Sequence, residues 1–211
     1  MAKRTKIKIV QYAQSIIDPN ILVAYTANGG RIDLYPCETP EERCRTKGKL
    51  YTNGHGLWFS LTSRGLNQVF ENFGLARRTR GRHCHNGKRG CDYPQMRDYG
   101  LGYCHVLVCT TFHGPRPIID GKLAVCDHKN GDVLNCSADN VEWVSVKENI
   151  WRAKHVLQVL RLKQFNLSTF TGEEMDRWFA IFRALEMTGR KPIDLSHDDL
   201  LDHFGSFLTE E

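Results

Sequence analysis

One short segment of this 211-residue chain constrains the fold most. It contains sequence signals for a strand, a turn and the start of a helix, in that order. The run Lys122–Cys126 predicts a short β-strand, and Asp127–Asp132 after it predicts a tight turn because it contains Asn-Gly. Ser145 and Glu148 have the spacing of a helix capping box. A helix is therefore expected from there to about Lys163.

Short strands are expected upstream of this segment. Residues 103–112 are rich in β-branched and aromatic side chains, which favours a strand. On a strand, Cys104 and Cys109 would face opposite sides, and His105 is either a phosphate-contacting residue or a packed histidine. Residues 1–60 contain short apolar runs separated by turn signals such as Asn28-Gly29-Gly30.

The C-terminal tail predicts two more helices. Thr171 and Glu174 have the spacing of a capping box, and Gly189 is placed to end the helix that follows. Its apolar residues recur at helical spacing and form one stripe: Met175, Trp178, Phe179, Phe182 and Leu185. A further helix is expected to start at Ser196.

Charge is distributed unevenly along the chain. The net charge is +5, but residues 1–163 carry 25 Lys and Arg against 14 Asp and Glu, whereas residues 164–211 carry 4 against 10. The basic part would attract a polyanion such as DNA, although charge alone fits a merely soluble basic protein equally well. The most basic loop spans residues 76–97. Its predicted phosphate contacts are Arg77, Arg78, Arg80, Arg82, Lys88 and Arg89.

Composition excludes several classes of protein. The chain is 41% hydrophobic and 25% charged, which is typical of a soluble globular protein, and no apolar run is long enough to span a bilayer. No secretory signal follows the basic N-terminus, so the eight cysteines are expected to be reduced. A structural Zn²⁺ on Cys37, Cys44, Cys84 and Cys91 is an alternative left open. Cys126 and Cys136 are expected to pack as small apolar residues near the site.

The polar residues of the central segment suit phosphodiester hydrolysis, which needs a base to deprotonate water and a cation beside the phosphate. Asp127 and His128 are adjacent, so on extended backbone their side chains point to opposite sides. Imidazole titrates near neutrality, which suits His128 as the base. Asn149 falls near the fourth helical position, where it can join Asp127 on Mg²⁺. Asn140 can donate and accept at once and hold the loop around His128.

This arrangement resembles the HNH endonucleases, most closely those of phage and intron type. Their pattern runs Asp-His-x-x-Gly-(Asn/Asp), then Asn-Leu-x-Trp-Val, then a helical Asn. Here it is represented by Asp127 to Asp132, Asn140 to Val144 and Glu148-Asn149. The family's upstream His before Leu-Val, with a later Phe, matches His105 to Val108 and Phe112. The resemblance covers roughly residues 103–155.

The resemblance implies a β-hairpin packed on a helix around one metal ion, the ββα-metal or His-Me finger fold. It implies His128 as general base, Asp127 and Asn149 as metal ligands, and Asn140 as the residue that orients the base. With Asn149 in place of a histidine, Mg²⁺ or Mn²⁺ is expected rather than Zn²⁺. The chain departs from many relatives at Val106, where they have Arg. Cleavage is expected to leave 5′-phosphate and 3′-hydroxyl ends, and a monomer would nick.

The chain is thus predicted to be an α+β protein in three parts. They are a basic DNA-binding region over 1–100, an HNH ββα-metal nuclease core over 101–163 and an acidic helical tail over 164–211. The predicted function is metal-dependent cleavage of double-stranded DNA in the cytoplasm of a bacterial or phage-infected cell, with Lys129 and Arg152 as further DNA contacts. The C-terminal helices offer a surface for a homodimer or a partner protein. Two alternatives stay open: a catalytically silent HNH-fold DNA-binding protein and a zinc-stapled interaction module.

Overall fold

The computed structural model describes residues 6–37, 48–71, 93–94, 96, 102–200 and 202. Its N-terminal part is a six-stranded antiparallel sheet in which each strand pairs with the next along the chain. The strands are β1 (Ile9–Gln14), β2 (Leu22–Thr26), β3 (Arg31–Pro36), β4 (Lys49–Thr52), β5 (Leu57–Thr62) and β6 (Gly65–Glu71). The predicted turn at 28–30 joins β2 to β3, and Gly29 supplies its positive φ of 82°.

One face of this sheet has its own apolar core. The core consists of Leu22, Ala24, Leu34, Tyr51, Phe59 and Leu66. The backbone N–H of Ile7, just before β1, donates to Oε1 of Gln68 in β6 at 2.8 Å. The first and last strands therefore approach each other, and the sheet curls.

The strand predicted over 103–112 is wrong, because this segment is the helix α1 (Cys104–His113). Its hydroxyls are satisfied within the helix: Thr110 and Thr111 each donate to the carbonyl oxygen four residues earlier at 2.8 Å. Burial outweighs the preference of β-branched residues for strands, since the helix places Leu107 and Val108 in the core.

The central segment folds as two hairpins and a helix. A small hairpin pairs β7 (Ile118–Ile119) with β8 (Lys122–Leu123). Next, β9 (Val125–His128) pairs antiparallel with β10 (Val141–Val144), and α2 (Val146–Trp151) follows directly. The prediction of one strand at Lys122–Cys126 is therefore wrong, and so is the placing of Asp127 and His128 in the turn, since both belong to β9.

The helical prediction downstream is confirmed. After α2, the chain continues through a π-helix (Arg152–Leu157) into α3 (Gln158–Leu162), then through short 3₁₀ turns and α4 (Gly172–Met187). The capping box of Thr171 and Glu174 is complete, and Ser196 caps the helical residues 197–200. The predicted stripe of α4 lies in one core with residues of the two preceding helices: Val156, Leu157, Val159 and Leu160.

A second core joins α1 to both neighbours. Trp58 from the N-terminal sheet, Cys104 and Cys109 from α1, and Val141 from β10 all belong to it. The two cysteines therefore share one core, and the prediction that they face opposite sides of a strand is wrong because the segment is a helix. The mixture of helices and strands makes the protein α+β. Within the described ranges, no helix is long and apolar enough to cross a membrane.

Candidate active site

Strand β9 places Asp127 and His128 in two different environments. Asp127 pairs across the hairpin with Glu142, and His128 pairs with Val141. Both side chains are buried, with exposures of 7% and 5%. Successive strand residues point to opposite faces, so each side chain meets its own set of neighbours.

The Asp127 face is dominated by Arg152. Its Nη1 donates to Asp127 Oδ2 at 3.2 Å and to Glu142 Oε1 at 2.5 Å, and its Nε donates to Glu148 Oε1 at 2.8 Å. The guanidinium also lies 4.1 Å from the ring centre of Phe179. Burial raises the pKa of Asp127, and the positive charge of Arg152 offsets part of that rise.

Asn149 lies on α2, which packs against β9. Ser145 caps the helix by accepting from the Glu148 N–H at 3.0 Å, so that part of the predicted capping box is confirmed. The Glu148 side chain instead binds Arg152 and Arg183. The half-buried Asn149 amide makes no side-chain hydrogen bond to any other residue in the described ranges.

The His128 face contains a second imidazole and a thiol. The His105 ring centre lies 4.8 Å from that of His128, and Cys136 Sγ lies 3.9 Å from His128 Nε2. Tyr93 contacts both rings. Burial lowers the pKa of His128 to about 4, and burial together with the nearby His128 lowers the pKa of His105 to about 3. Both imidazoles are therefore neutral at pH 7.

Asn140 organises the loop between β9 and β10. Its fully buried side chain accepts from the Asn130 N–H at 3.1 Å and donates to the Asn135 carbonyl at 2.8 Å. The turn itself closes through a 2.8 Å bond from the Gly131 N–H to the His128 carbonyl, with a φ of 69° at Gly131. The two ends of the loop are thus tied together next to His128.

The two basic residues predicted to contact DNA from this region are paired with carboxylates of the same chain. Lys129 Nζ lies 2.5 Å from Asp176 Oδ2 and 4.0 Å from Glu142 Oε1. Arg152 is buried among its three acidic partners. Neither side chain presents a free cation to a phosphate in this arrangement.

Several other predicted residues lie outside the described ranges. They are the basic-loop residues Arg77, Arg78, Arg80, Arg82, Lys88 and Arg89, and the cysteines Cys44, Cys84 and Cys91. Cys37 is described, and burial raises the pKa of its thiol to about 12. The alternative of a four-cysteine zinc site stays a prediction.

The close approach of His105 and Cys136 to His128 does not follow from the sequence. Sequence alone fits His105 to either packing or phosphate contact, and it predicts Cys136 only as a small apolar residue near the site. The three residues come from α1, the loop before β10, and β9. No local spacing signals such a meeting, because it depends on how α1 packs against the hairpin.

Asp127 and Asn149 both carry oxygen atoms of the kind that bind hard divalent ions. A desolvated carboxylate and an amide without a partner in the described ranges offer oxygen ligands, which Mg²⁺ and Mn²⁺ prefer. The His128 face offers nitrogen and sulfur donors of a softer kind. The two faces therefore suit different cations.

Residues 102–150 match the model of a protein family described as HNH endonuclease. The match includes α1, the β9–β10 hairpin and the start of α2, and it contains Asp127, His128, Asn140 and Asn149. Comparisons with curated proteins and with solved structures gave no significant match. Residues 102–150 of this chain are therefore similar to the HNH endonuclease family.

Proposed function

We propose that this protein is a metal-dependent DNA endonuclease whose ββα-metal core consists of β9, β10 and α2. One observation carries the proposal. Within the family match, adjacent residues Asp127 and His128 face opposite sides of β9, and α2, the helix that carries Asn149, packs against the same strand. This arrangement lets one side hold a cation while the other holds a base.

His128 is the proposed general base. Its neutral imidazole takes a proton from a water molecule, whose oxygen bonds to phosphorus while the bond from phosphorus to the 3′ oxygen breaks. The 3′ oxygen leaves with a proton from solvent, so the products carry 5′-phosphate and 3′-hydroxyl ends. Because burial lowers the pKa of His128 to about 4, the base form predominates at neutral pH.

Asp127 and Asn149 are the proposed ligands of one Mg²⁺ or Mn²⁺ ion, which when bound supplies positive charge beside the scissile phosphate. Arg152 holds the Asp127 carboxylate in place through its 3.2 Å contact. Asn140 positions His128 indirectly, by fixing the loop that starts after it.

Double-stranded DNA is the proposed substrate. The excess of basic residues over 1–163 supports it, as does the family match. We assign the phosphate contacts to the basic loop over 76–97 and not to Lys129 or Arg152, whose charges are paired. A phage or mobile-element origin and a cytoplasmic location remain part of the proposal, supported by the resemblance alone.

The test is cleavage of supercoiled plasmid by the full-length protein with Mg²⁺, followed by mapping of the ends. Cleavage should stop with EDTA, and ligase should reseal the nicks because they carry 5′-phosphates. Asp127→Ala and Asn149→Ala should each reduce cleavage by at least about 100-fold, whereas Asp198→Ala, at an exposed position of the C-terminal tail, should cleave normally. Cleavage that persists in EDTA, or that survives both ligand substitutions, would overturn the proposal.

A further inference from the structure

Three buried side chains meet beside β9 without any role as a group in the reaction proposed above. His105, His128 and Cys136 each offer one donor atom, and these atoms lie within 4.8 Å of one another. Cys136 Sγ and His128 Nε2 are 3.9 Å apart. All three side chains are buried, so the cluster is shielded from bulk water.

His105 gives an independent sign that the cluster holds a ligand. The side chain is 8% exposed, and its buried Nδ1 makes no hydrogen bond within the described ranges. Leaving a buried polar atom unsatisfied costs about 1–3 kcal/mol, so native proteins usually supply a partner. The ring of Tyr93 packs against the histidine, with 5.0 Å between the ring centres.

The chemistry of the donors selects the ion. Two imidazole nitrogens and one thiolate sulfur suit Zn²⁺, which binds nitrogen at about 2.0–2.1 Å and sulfur at about 2.3 Å. Tetrahedral geometry with those bond lengths needs donor separations of roughly 3.3–3.8 Å, so the His128–Cys136 distance of 3.9 Å needs little adjustment. Mg²⁺ prefers oxygen donors and would not compete well here.

We propose that His105, His128 and Cys136 form a Zn²⁺ site, separate from the Asp127–Asn149 site, and that zinc bound there switches the nuclease off. Binding releases the Cys136 S–H proton to solvent and involves no change of oxidation state. The inhibitory part rests on the proposed function. A neutral imidazole has one lone pair and one N–H, so a His128 ring that binds zinc through either nitrogen cannot accept a proton from water.

The site is tested by titrating EDTA-stripped full-length protein with Co²⁺ and then displacing it with Zn²⁺. Co²⁺ should produce a thiolate-to-metal charge-transfer band that Cys136→Ser lowers and Cys109→Ala, a buried cysteine outside the cluster, leaves unchanged. Cysteines elsewhere can bind the probe too, so the difference between the two variants is the measurement. Cys136→Ser should weaken zinc binding by more than about 100-fold, since losing even an indirect partner costs 10–100-fold.

His105→Gln provides a second variant. This variant should also weaken zinc binding, but it should keep the cobalt–thiolate band because Cys136 is still present. Circular dichroism checks that each variant is folded. If neither Cys136→Ser nor His105→Gln changes zinc affinity in folded protein, the site does not exist.

Inhibition is tested by plasmid cleavage in excess Mg²⁺ with one equivalent of Zn²⁺. Zinc should reduce wild-type cleavage by at least about 10-fold, and it should reduce Cys136→Ser cleavage much less, each relative to its own rate without zinc. Equal inhibition of both proteins, or stimulation by zinc, would overturn the inhibitory part. A wild-type protein that never cleaves DNA would sink the proposed nuclease instead, while the cobalt titration still decides whether the site exists.

Discussion

Nη1 of Arg152 lies 3.2 Å from Oδ2 of Asp127, and both side chains are buried. The residue proposed to hold the catalytic ion is therefore held itself by a cation from the π-helix. Arg152 also binds Glu142 and Glu148. This one guanidinium thus connects β9, β10 and α2, the three elements of the proposed catalytic core.

Replacing Arg152 should destabilise the protein strongly. Arg152→Met keeps the apolar contact with Phe179 but leaves Asp127 buried without its counter-charge. Breaking such a pair costs about 3–5 kcal/mol of stability. We expect a loss near the lower end of this range, because the side chains of Glu142 and Glu148 are partly exposed. In urea unfolding, the Arg152→Met variant should reach half-unfolding at a lower urea concentration than the wild type.

Arg177→Met is the matched control, since it removes an exposed ion pair with Glu173 one helical turn away. The free energy of unfolding should change by less than about 0.5 kcal/mol. Similar losses in the two variants would show that Arg152 does not stabilise the three elements.

Asn140→Ala should loosen the loop beside His128. The substitution leaves the Asn130 N–H and the Asn135 carbonyl without their partner, which costs about 2 kcal/mol of stability. The cleavage rate should fall while DNA binding persists. Asn67→Ala, at an exposed position of β6, should change neither the cleavage rate nor the stability. An Asn140→Ala protein with wild-type cleavage would show that the loop does not position the base.

Gly172→Ala should weaken the contact between α4 and the active-site loop. A Cβ at this position would lie 1.8 Å from the backbone oxygen of Asp139, next to Asn140. Since backbone must move to relieve the clash, we expect a loss of about 1–3 kcal/mol. Glu173→Ala, at the exposed next position, should stay within about 0.5 kcal/mol. Thermal unfolding that is equal for both variants would contradict the packing described for Gly172.

Stability should fall in mild acid because two histidines are buried in the neutral form. Burial lowers the pKa of His105 to about 3 and that of His128 to about 4, from 6.5 in an unfolded chain. Between pH 6.5 and 4 the unfolded chain therefore binds more protons, so stability is full above pH 6.5 and is lost as the pH falls. We expect metal-free protein to lose on the order of 4 kcal/mol between pH 7 and 5, about half of it from each histidine.

Urea unfolding at a series of pH values measures this slope. His105→Phe removes one of the two histidines. The free energy of unfolding of this variant should therefore change much less between pH 6.5 and 5 than that of the wild type. A wild-type stability that is flat over this range would show that the histidines are not buried in the neutral form.

Local signals made the turn after β9 and the helices downstream of it predictable. The Asn-Gly pair at Asn130 marks a turn, and Ser145 and Thr171 cap helices through bonds between near neighbours. Such features depend on a few consecutive residues. The sequence therefore placed the turn after β9 and the start of α2 close to where the structure has them.

Tertiary packing decided what the sequence could not. The β-branched residues of α1 favoured a strand, yet Leu107 and Val108 are buried only because the segment is a helix packed between the sheet and the hairpin. The partners of Arg152 and the approach of Cys136 to His128 join separate elements. No periodicity or spacing carries that information.

The central claim is that His128 deprotonates the attacking water. The most direct measurement is plasmid cleavage in Mg²⁺ by the His128→Ala variant. The control is His155→Ala, which replaces an exposed histidine on the π-helix. We predict that His128→Ala cleaves about 10²–10⁴-fold more slowly, binds the same DNA with unchanged affinity and regains part of its rate with added imidazole, whereas His155→Ala behaves as wild type. Cleavage by His128→Ala at the wild-type rate would contradict the account.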